Sequence, residues 1–271
     1  MQGRLSPPIN KKIQKFPHNY WKDEFSLARK IGFDLIEWVV DDENNPIFYD
    51  EQINEILELS KKYDIQINSL CADIFMEKFL FKNEAKDTIK NLEILKKLIH
   101  QCSKCNIKII ELPFVDSSSI RNIEYQNQLV QNFKVIKKIA KEHDIVLGLE
   151  TDLESKSFVK FLEKFDSPNI RANYDIGNSV SNNFNPLIEL DDLEKWIINI
   201  HLKDRYRFGD TVQLGLGDVN FSEFFEKLRN IDYEGDLIIQ GAREDLDGDI
   251  PVEKTCSKYL EFINRYLEKR N

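Results

Sequence analysis

Short, nearly continuous apolar runs alternate with amphipathic helical stretches along the whole chain, and this alternation restricts the fold more than any other feature. The runs lie near 2–5 (QGRL), 34–40 (DLIEWVV), 65–73 (IQINSLCAD) and 107–113 (IKIIELP). Four more lie near 145–150 (IVLGLE), 170–175 (IRANYD), 198–203 (INIHLK) and 236–241 (DLIIQG). Such runs predict strands covered on both faces, as in a parallel sheet. Between them, WKDEFSLARKIG sets Phe25, Ala28 and Ile31 on one helical face and ends on a glycine. TIKNLEILKKLIHQCSKC, NQLVQNFKVIKKIAKEHD, FSEFFEKLRNIDYEG and VEKTCSKYLEFINRYLEK repeat the spacing, with a shorter helix around LDDLEKW. Eight strand–helix units predict an α/β fold, a single (β/α)8 TIM barrel over residues 1–271. A doubly wound sheet is the competing arrangement, but no Gly-rich strand-to-helix fingerprint follows any run.

Bulk properties narrow the function. The net charge is −9 and no basic block occurs, which argues against a nucleic-acid surface. A small phosphorylated ligand stays compatible, because a few arginines and helix N-termini suffice to hold one phosphate. No segment approaches 18 consecutive apolar residues, and the first twenty residues hold no apolar core of signal-peptide length. Neither membrane insertion nor secretion is expected. Cys71, Cys102, Cys105 and Cys256 show no disulfide framework, so a reducing cytoplasm is the expected compartment.

A barrel gathers the C-terminal ends of its strands at one mouth, where barrel active sites sit. Glu37, Asp73, Glu111, Glu150, Asp175, His201 and Gln240 all occupy such ends, more polar groups than packing requires. Glu150, Asp175 and His201 form a carboxylate–imidazole set suited to one divalent ion such as Mn²⁺, Co²⁺, Mg²⁺ or Zn²⁺. Gln240 offers a neutral amide oxygen as a fourth ligand. The competing reading makes each a hydrogen-bonded polar residue at a loop root.

LGLET, YDIGN, IHLKDRYR and LGLGDVNF follow one another in the order and spacing of the xylose isomerase-like barrels, and the chain resembles their sugar phosphate isomerase/epimerase group. HLKD followed by GLGDVNF is the most specific part. The resemblance implies an enzyme acting on a sugar or sugar phosphate, with a homodimer as an expected assembly. In the ketose 3-epimerases of this group, a Glu, an Asp, a His and a second Glu hold a metal at the ends of the fifth to eighth strands. Those positions are Glu150, Asp175, His201 and Gln240 here. A substrate-contacting Arg six residues after the metal His corresponds to Arg207. A substrate-contacting His three residues after the metal Asp is replaced by Asn178.

The replacement at Gln240 bears on mechanism. In the epimerases, one metal-bound glutamate removes the proton beside the carbonyl and the other returns one on the opposite face. An amide is no general base near neutral pH. The pattern therefore leaves a one-base isomerisation through an enediolate, with Glu150 shuttling the proton, or a dehydration of the same logic. Glu111 and Asp73 are expected as substrate hydroxyl contacts or replacement bases. Glu37 and Trp38 are expected as a hydroxyl contact and an aromatic wall. Lys203, Arg205, Arg207, Arg243 and Arg4 are the cations available to an anionic group.

Other signals read as structural. CSKC has no second cysteine pair to complete a zinc site. DLDGD lacks the twelfth-position glutamate of a calcium loop and reads as an exposed turn. His18, His100 and His143 share no spacing with the strand ends. Two rival functions follow: an endonuclease on abasic DNA, disfavoured by acidity and by a single strand-end histidine, and a carbohydrate-binding barrel that has lost a base. The segments LSPPINKKIQKFPHNY and DDENNPIFYDE are expected as loops that cap the mouth and select the substrate.

Overall fold

In the computed structural model, which describes residues 1–247 and 249–268, seven of the apolar runs form one parallel sheet in sequence order. Its strands are β1 (Trp38–Val39), β2 (Ser69–Cys71), β3 (Ile109–Phe114), β4 (Val146–Thr151), β5 (Ile170–Asp175) and β6 (Ile197–Leu202), followed by β9 (Asp236–Ile239). Beyond β6, β7 (Asp204–Arg205) and β8 (Thr211–Val212) make a small antiparallel ribbon, which the strand pattern did not announce.

The QGRL run is shorter than expected as a strand. It bridges Glu37 at Gln2 alone, and Gly3 then takes a left-handed φ of 54° that ends the extended conformation. Its backbone nevertheless joins both edges of the sheet. Gln2 N–H donates to Ile239 O (3.1 Å), and Glu37 N–H donates to Met1 O (3.0 Å). The ring closes through these bonds.

The helices α1 (Trp21–Ile31), α2 (Asp50–Tyr63), α3 (Ala85–Lys104), α4 (Ile123–Glu142) and α5 (Ser155–Glu163) follow the first strands. α6 (Ile176–Ser181), α7 (Pro186–Leu193), α8 (Phe221–Asn230) and α9 (Val252–Leu267) complete the described set. DDENNPIFYDE is not wholly a loop. Asn45 accepts from Ile47 N–H to open a 3-10 turn at Pro46–Phe48, and Asp50 already begins α2. α7 lies earlier than LDDLEKW suggests, because Asn185 caps it and Pro186 supplies the first helical φ. Within DLDGD, Gly248 lies outside the described residues, as does Lys269 at the end of the last helical stretch. No helix among the described residues is long and apolar enough to cross a membrane.

Alternation along each strand explains the core. Leu70, Ile110, Leu112, Leu149, Tyr174 and Ile200 are buried at every second position, opposite in phase to the polar ones. The polar series, Gln2, Glu37, Ser69, Glu111, Asn173 and Asn199, is at most 2% exposed. Much of it is hydrogen-bonded across strands. Ser69 Oγ (2.6 Å) and Asn199 Nδ2 (2.9 Å) donate to Glu37 Oε2, and Asn199 Nδ2 also donates to Asn173 Oδ1 (2.8 Å). This buried network is the floor on which the strand-end residues stand.

Candidate metal centre at the barrel mouth

Three neighbouring strand ends bring Glu150, Asp175 and His201 together. One ligand atom from each lies within 4.8 Å of the others, and all three side chains are buried. The strand register accounts for the meeting, since Asp175 pairs with His201 across β5 and β6. Asp175 also caps α6, its Oδ1 accepting from Asn178 N–H at 2.8 Å, which leaves Oδ2 for the cluster. Glu150 is held at both oxygens: Oε1 accepts from Asn178 Nδ2 (2.6 Å) and Oε2 from Asn173 Nδ2 (3.1 Å).

His201 is fully buried between carboxylates. Its Nε2 stands 2.9 Å from Glu37 Oε1, and its Nδ1 stands 3.2 Å from Glu150 Oε2 and 3.9 Å from Asp175 Oδ2. Burial opposes a charged imidazole, but Glu37 and Glu150 outweigh it and raise the His201 pKa well above its usual value. Burial likewise opposes ionisation of Glu150, yet His201, Lys203 and Asn178 hold its pKa below the ordinary carboxylate range. Lys203 Nζ forms an ion pair with Asp175 Oδ2 at 2.7 Å.

Orphaned atoms test whether this set suits a cation. Asp175 Oδ2, His201 Nδ1 and Gln240 Oε1 are buried and lack a hydrogen-bond partner among the described residues, despite the ion-pair distances at the first two. Gln240 directs its Nε2 to Gln2 Oε1 (2.5 Å), which fixes the amide and leaves its oxygen unbonded, with Gln14 Oε1 a more distant acceptor (3.4 Å). Two carboxylates, an imidazole nitrogen and an amide oxygen are a donor set for a divalent ion of intermediate hardness. Glu37 stands behind His201 as the carboxylate that can hold Nε2–H and leave Nδ1 for the ion. The residues fit.

Other expected site residues are placed differently. Glu37 does not reach the mouth; it is 1% exposed and committed to His201, Ser69 and Asn199. Trp38, one residue on, faces the opposite way, packing on Phe16 and on Trp21 and Phe25 of α1 and donating to Asn45. Glu111 is fully buried with both carboxylate oxygens unbonded. Burial, reinforced by Glu150, raises its pKa well above the usual range. Its register beside Gly148 puts it two positions short of Glu150, below the mouth. Asp73 does reach the mouth, where it accepts from Gln14 Nε2 (2.5 Å) and Cys71 Sγ (3.1 Å).

The cations also sort themselves. Arg207 turns outward, donating from Nη1 to Asn183 Oδ1 and lining a cleft with Phe184, Asn185 and Glu223. Arg205 instead turns inward, its Nη1 donating to Asn178 Oδ1 at 2.8 Å. Asn178 is thereby suspended between Arg205 and Glu150 and orients the glutamate. Arg243 is spent on backbone carbonyls, with Nε on Ile13 O, Nη1 on Ser6 O and Nη2 on Gly3 O. Arg4 is buried, its Nε donating to Gly241 O and its Nη1 to Gln14 Oε1. Sequence reading passed over Gln14 and Asn173 and gave Arg205 no specific partner.

The HLKD and GLGDVNF segments prove to be one structural unit. Asp204 Oδ2 accepts from Gly215 N–H (2.8 Å) and Gly217 N–H (2.9 Å), and Oδ1 accepts from Val219 N–H (3.2 Å). A Cβ on Gly217 would stand 2.1 Å from Asp204 Oδ1, so the turn requires glycine there.

Comparison with known proteins agrees with this architecture. A family model described as xylose isomerase-like TIM barrel matches residues 25–265. A protein called putative L-ribulose-5-phosphate 3-epimerase SgbU, from Haemophilus influenzae, is 27% identical over 246 residues, covering 81% of this chain and 83% of that one. The uncharacterized protein MJ1311 of Methanocaldococcus jannaschii is 26% identical over 146 residues, and the match spans about half of each chain, 50% here and 49% there. Among solved structures, IOLI protein with a bound zinc atom superposes with a TM-score of 0.80 at 16% identity, covering 100% of this chain and 98% of that one. At that identity the likeness establishes the fold alone.

Proposed function

The chain belongs to the xylose isomerase-like TIM barrel family, and from this we propose that it is a metal-dependent isomerase or epimerase of a ketose or ketose phosphate, with Glu150 moving the proton beside the carbonyl. One observation carries the reading: Glu150, Asp175 and His201 converge in a buried cluster, and the unbonded Gln240 Oε1 lies on the adjoining strand end, its N–H on Leu202 O. The name of the Haemophilus relative, a ketose-phosphate epimerase, supports the substrate class.

A divalent ion held by Glu150, Asp175, His201 and Gln240 supplies a Lewis acid for the substrate carbonyl. The remaining work belongs to the side chains. Glu150 is aimed by Asn173 and Asn178 and stands as the carboxylate that accepts the proton adjacent to the carbonyl. The carboxyl group then returns that proton on the same face to the neighbouring carbon of the enediolate, while the hydroxyl proton passes to the former carbonyl oxygen, so that carbonyl and hydroxyl exchange places. Gln240 cannot supply the opposite face, which favours transfer on one face, and hence aldose–ketose isomerisation, over inversion of a carbon centre.

A Gln240→Glu substitution tests this assignment. The variant is expected to gain inversion at the carbon beside the carbonyl by about 10²-fold, the scale of one positioned base. Wild-type protein that inverts the centre, together with a Gln240→Ala variant that inverts it equally fast, contradicts the assignment.

A further inference from the structure

We propose that Gln14 is a specificity-determining residue that reads hydroxyl groups of the substrate from the side of the mouth opposite the Glu150–Asp175 pair. This rests on the ketose reading above. Gln14 belongs to the segment between Gly3 and α1, which holds no helix and no strand beyond the isolated bridge between Ile9 and Lys12. Its backbone is pinned on either side. Arg243 Nε donates to Ile13 O at 2.9 Å, and Phe16 N–H donates to Asp41 Oδ2 at 3.1 Å. Phe16 then packs on Trp38, and Ser6 Oγ donates to the buried Glu24 at 2.8 Å.

The pinned segment delivers one flexible amide into the mouth. Gln14 Nε2 donates to Asp73 Oδ2 at 2.5 Å, while its Oε1 accepts from Arg4 Nη1 at 3.1 Å and from Gln240 Nε2 at 3.4 Å. The side chain thus spans the ends of the first, third and last members of the ring. It is half-buried, so a ligand entering the mouth meets it. A primary amide sets a donor beside an acceptor, the pattern that adjacent hydroxyls of a polyol match. Its bond to Gln240 is long, and exchanging it for a substrate hydroxyl costs little. Asp73 and Arg4, which now satisfy the amide, offer an acceptor and a donor to the neighbouring hydroxyl. A site built from such polar groups discriminates against analogues that lack the matching hydroxyl, because its own groups are left unpaired.

The test compares wild-type protein with Gln14→Met, which keeps side-chain length and removes both polar functions. Proton exchange is followed in D₂O with L-ribulose, L-ribulose 5-phosphate and D-allulose, and with monodeoxy analogues of each. For Gln14→Met the expected results are a KM raised about tenfold, kcat within about twofold, unchanged metal content, and a lowered thermal-unfolding midpoint because Arg4 and Asp73 lose their partner. The penalty that wild-type protein shows for one missing hydroxyl should vanish in the variant, which a merely structural role would not produce. A variant with wild-type KM and an intact deoxy penalty overturns the proposal while the ketose reading stands. A variant that loses metal and kcat together also overturns it, by placing Gln14 behind Gln240. Wild-type protein that exchanges protons with none of these ketoses overturns the ketose reading, and this inference with it.

Discussion

Replacing Glu150 with glutamine is expected to slow proton exchange from a substrate ketose by about 10²–10⁴-fold, the range for a positioned general base, while one divalent ion stays bound. The substitution separates two roles that the native side chain combines. Glutamine keeps an oxygen at the position where Glu150 faces Asp175 and His201, so coordination survives. It loses the capacity to accept a proton. Asn173 and Asn178 both donate to Glu150, so the new amide turns its own NH₂ against one of these donors. Some weakening of metal affinity is therefore expected beside the kinetic loss. Glu150→Asp, which restores the base on a shorter arm, should recover part of the exchange. Exchange retained within a few-fold in Glu150→Gln would place the base elsewhere.

His201→Ala is the second large perturbation, and its first effect is on stability. The ring lies between Glu37 and Glu150 with no solvent exposure. Its removal leaves Glu37 buried opposite an empty space, and breaking a buried pair in this way costs about 3–5 kcal/mol. The pH dependence has a definite sign. Burial disfavours the Glu37 carboxylate, but the charge and hydrogen bonding of His201 prevail and lower its pKa. That contribution is present above the unfolded carboxyl pKa and is lost as pH falls. The raised His201 pKa contributes stability that is full below its unfolded value and fades as pH rises through the folded one. With metal removed by chelation, the difference between wild-type protein and His201→Ala should be largest between about pH 5 and 6.5. It should narrow on either side, as measured by urea unfolding. A difference that does not vary from pH 4 to 9 contradicts the charged pair.

Much of this architecture is legible because strand residues alternate in facing. Counting back two from Asp175 and from His201 reaches the buried Asn173 and Asn199, while the positions between carry the apolar series. The same count separates Glu37 from Trp38 and explains why one supports His201 while the other packs on α1. It fails where the chain leaves the sheet. After Lys203 the backbone enters the β7–β8 ribbon, so spacing from His201 no longer tells which arginine turns inward; Arg205 does and Arg207 does not. Gln14 could not be singled out within its expected capping segment for a related reason. It sits in a segment with no periodicity, positioned by Arg243 and Asp41, which are far from it in the chain. Glu111 reads as a strand-end carboxylate, yet its register leaves it below the mouth, where no sequence count of loop length could have put it.

Deuterium incorporation tests the joint role of the metal centre and Glu150 most directly. Metal-replete protein is incubated in D₂O with L-ribulose 5-phosphate, L-ribulose or D-allulose, and the sugar is followed by NMR. The expected result is exchange confined to a carbon adjacent to the carbonyl in at least one ketose, lost on chelation and restored by adding back a divalent ion. Exchange that persists undiminished after the metal is removed, or no exchange by metal-replete protein with any of these ketoses, contradicts it.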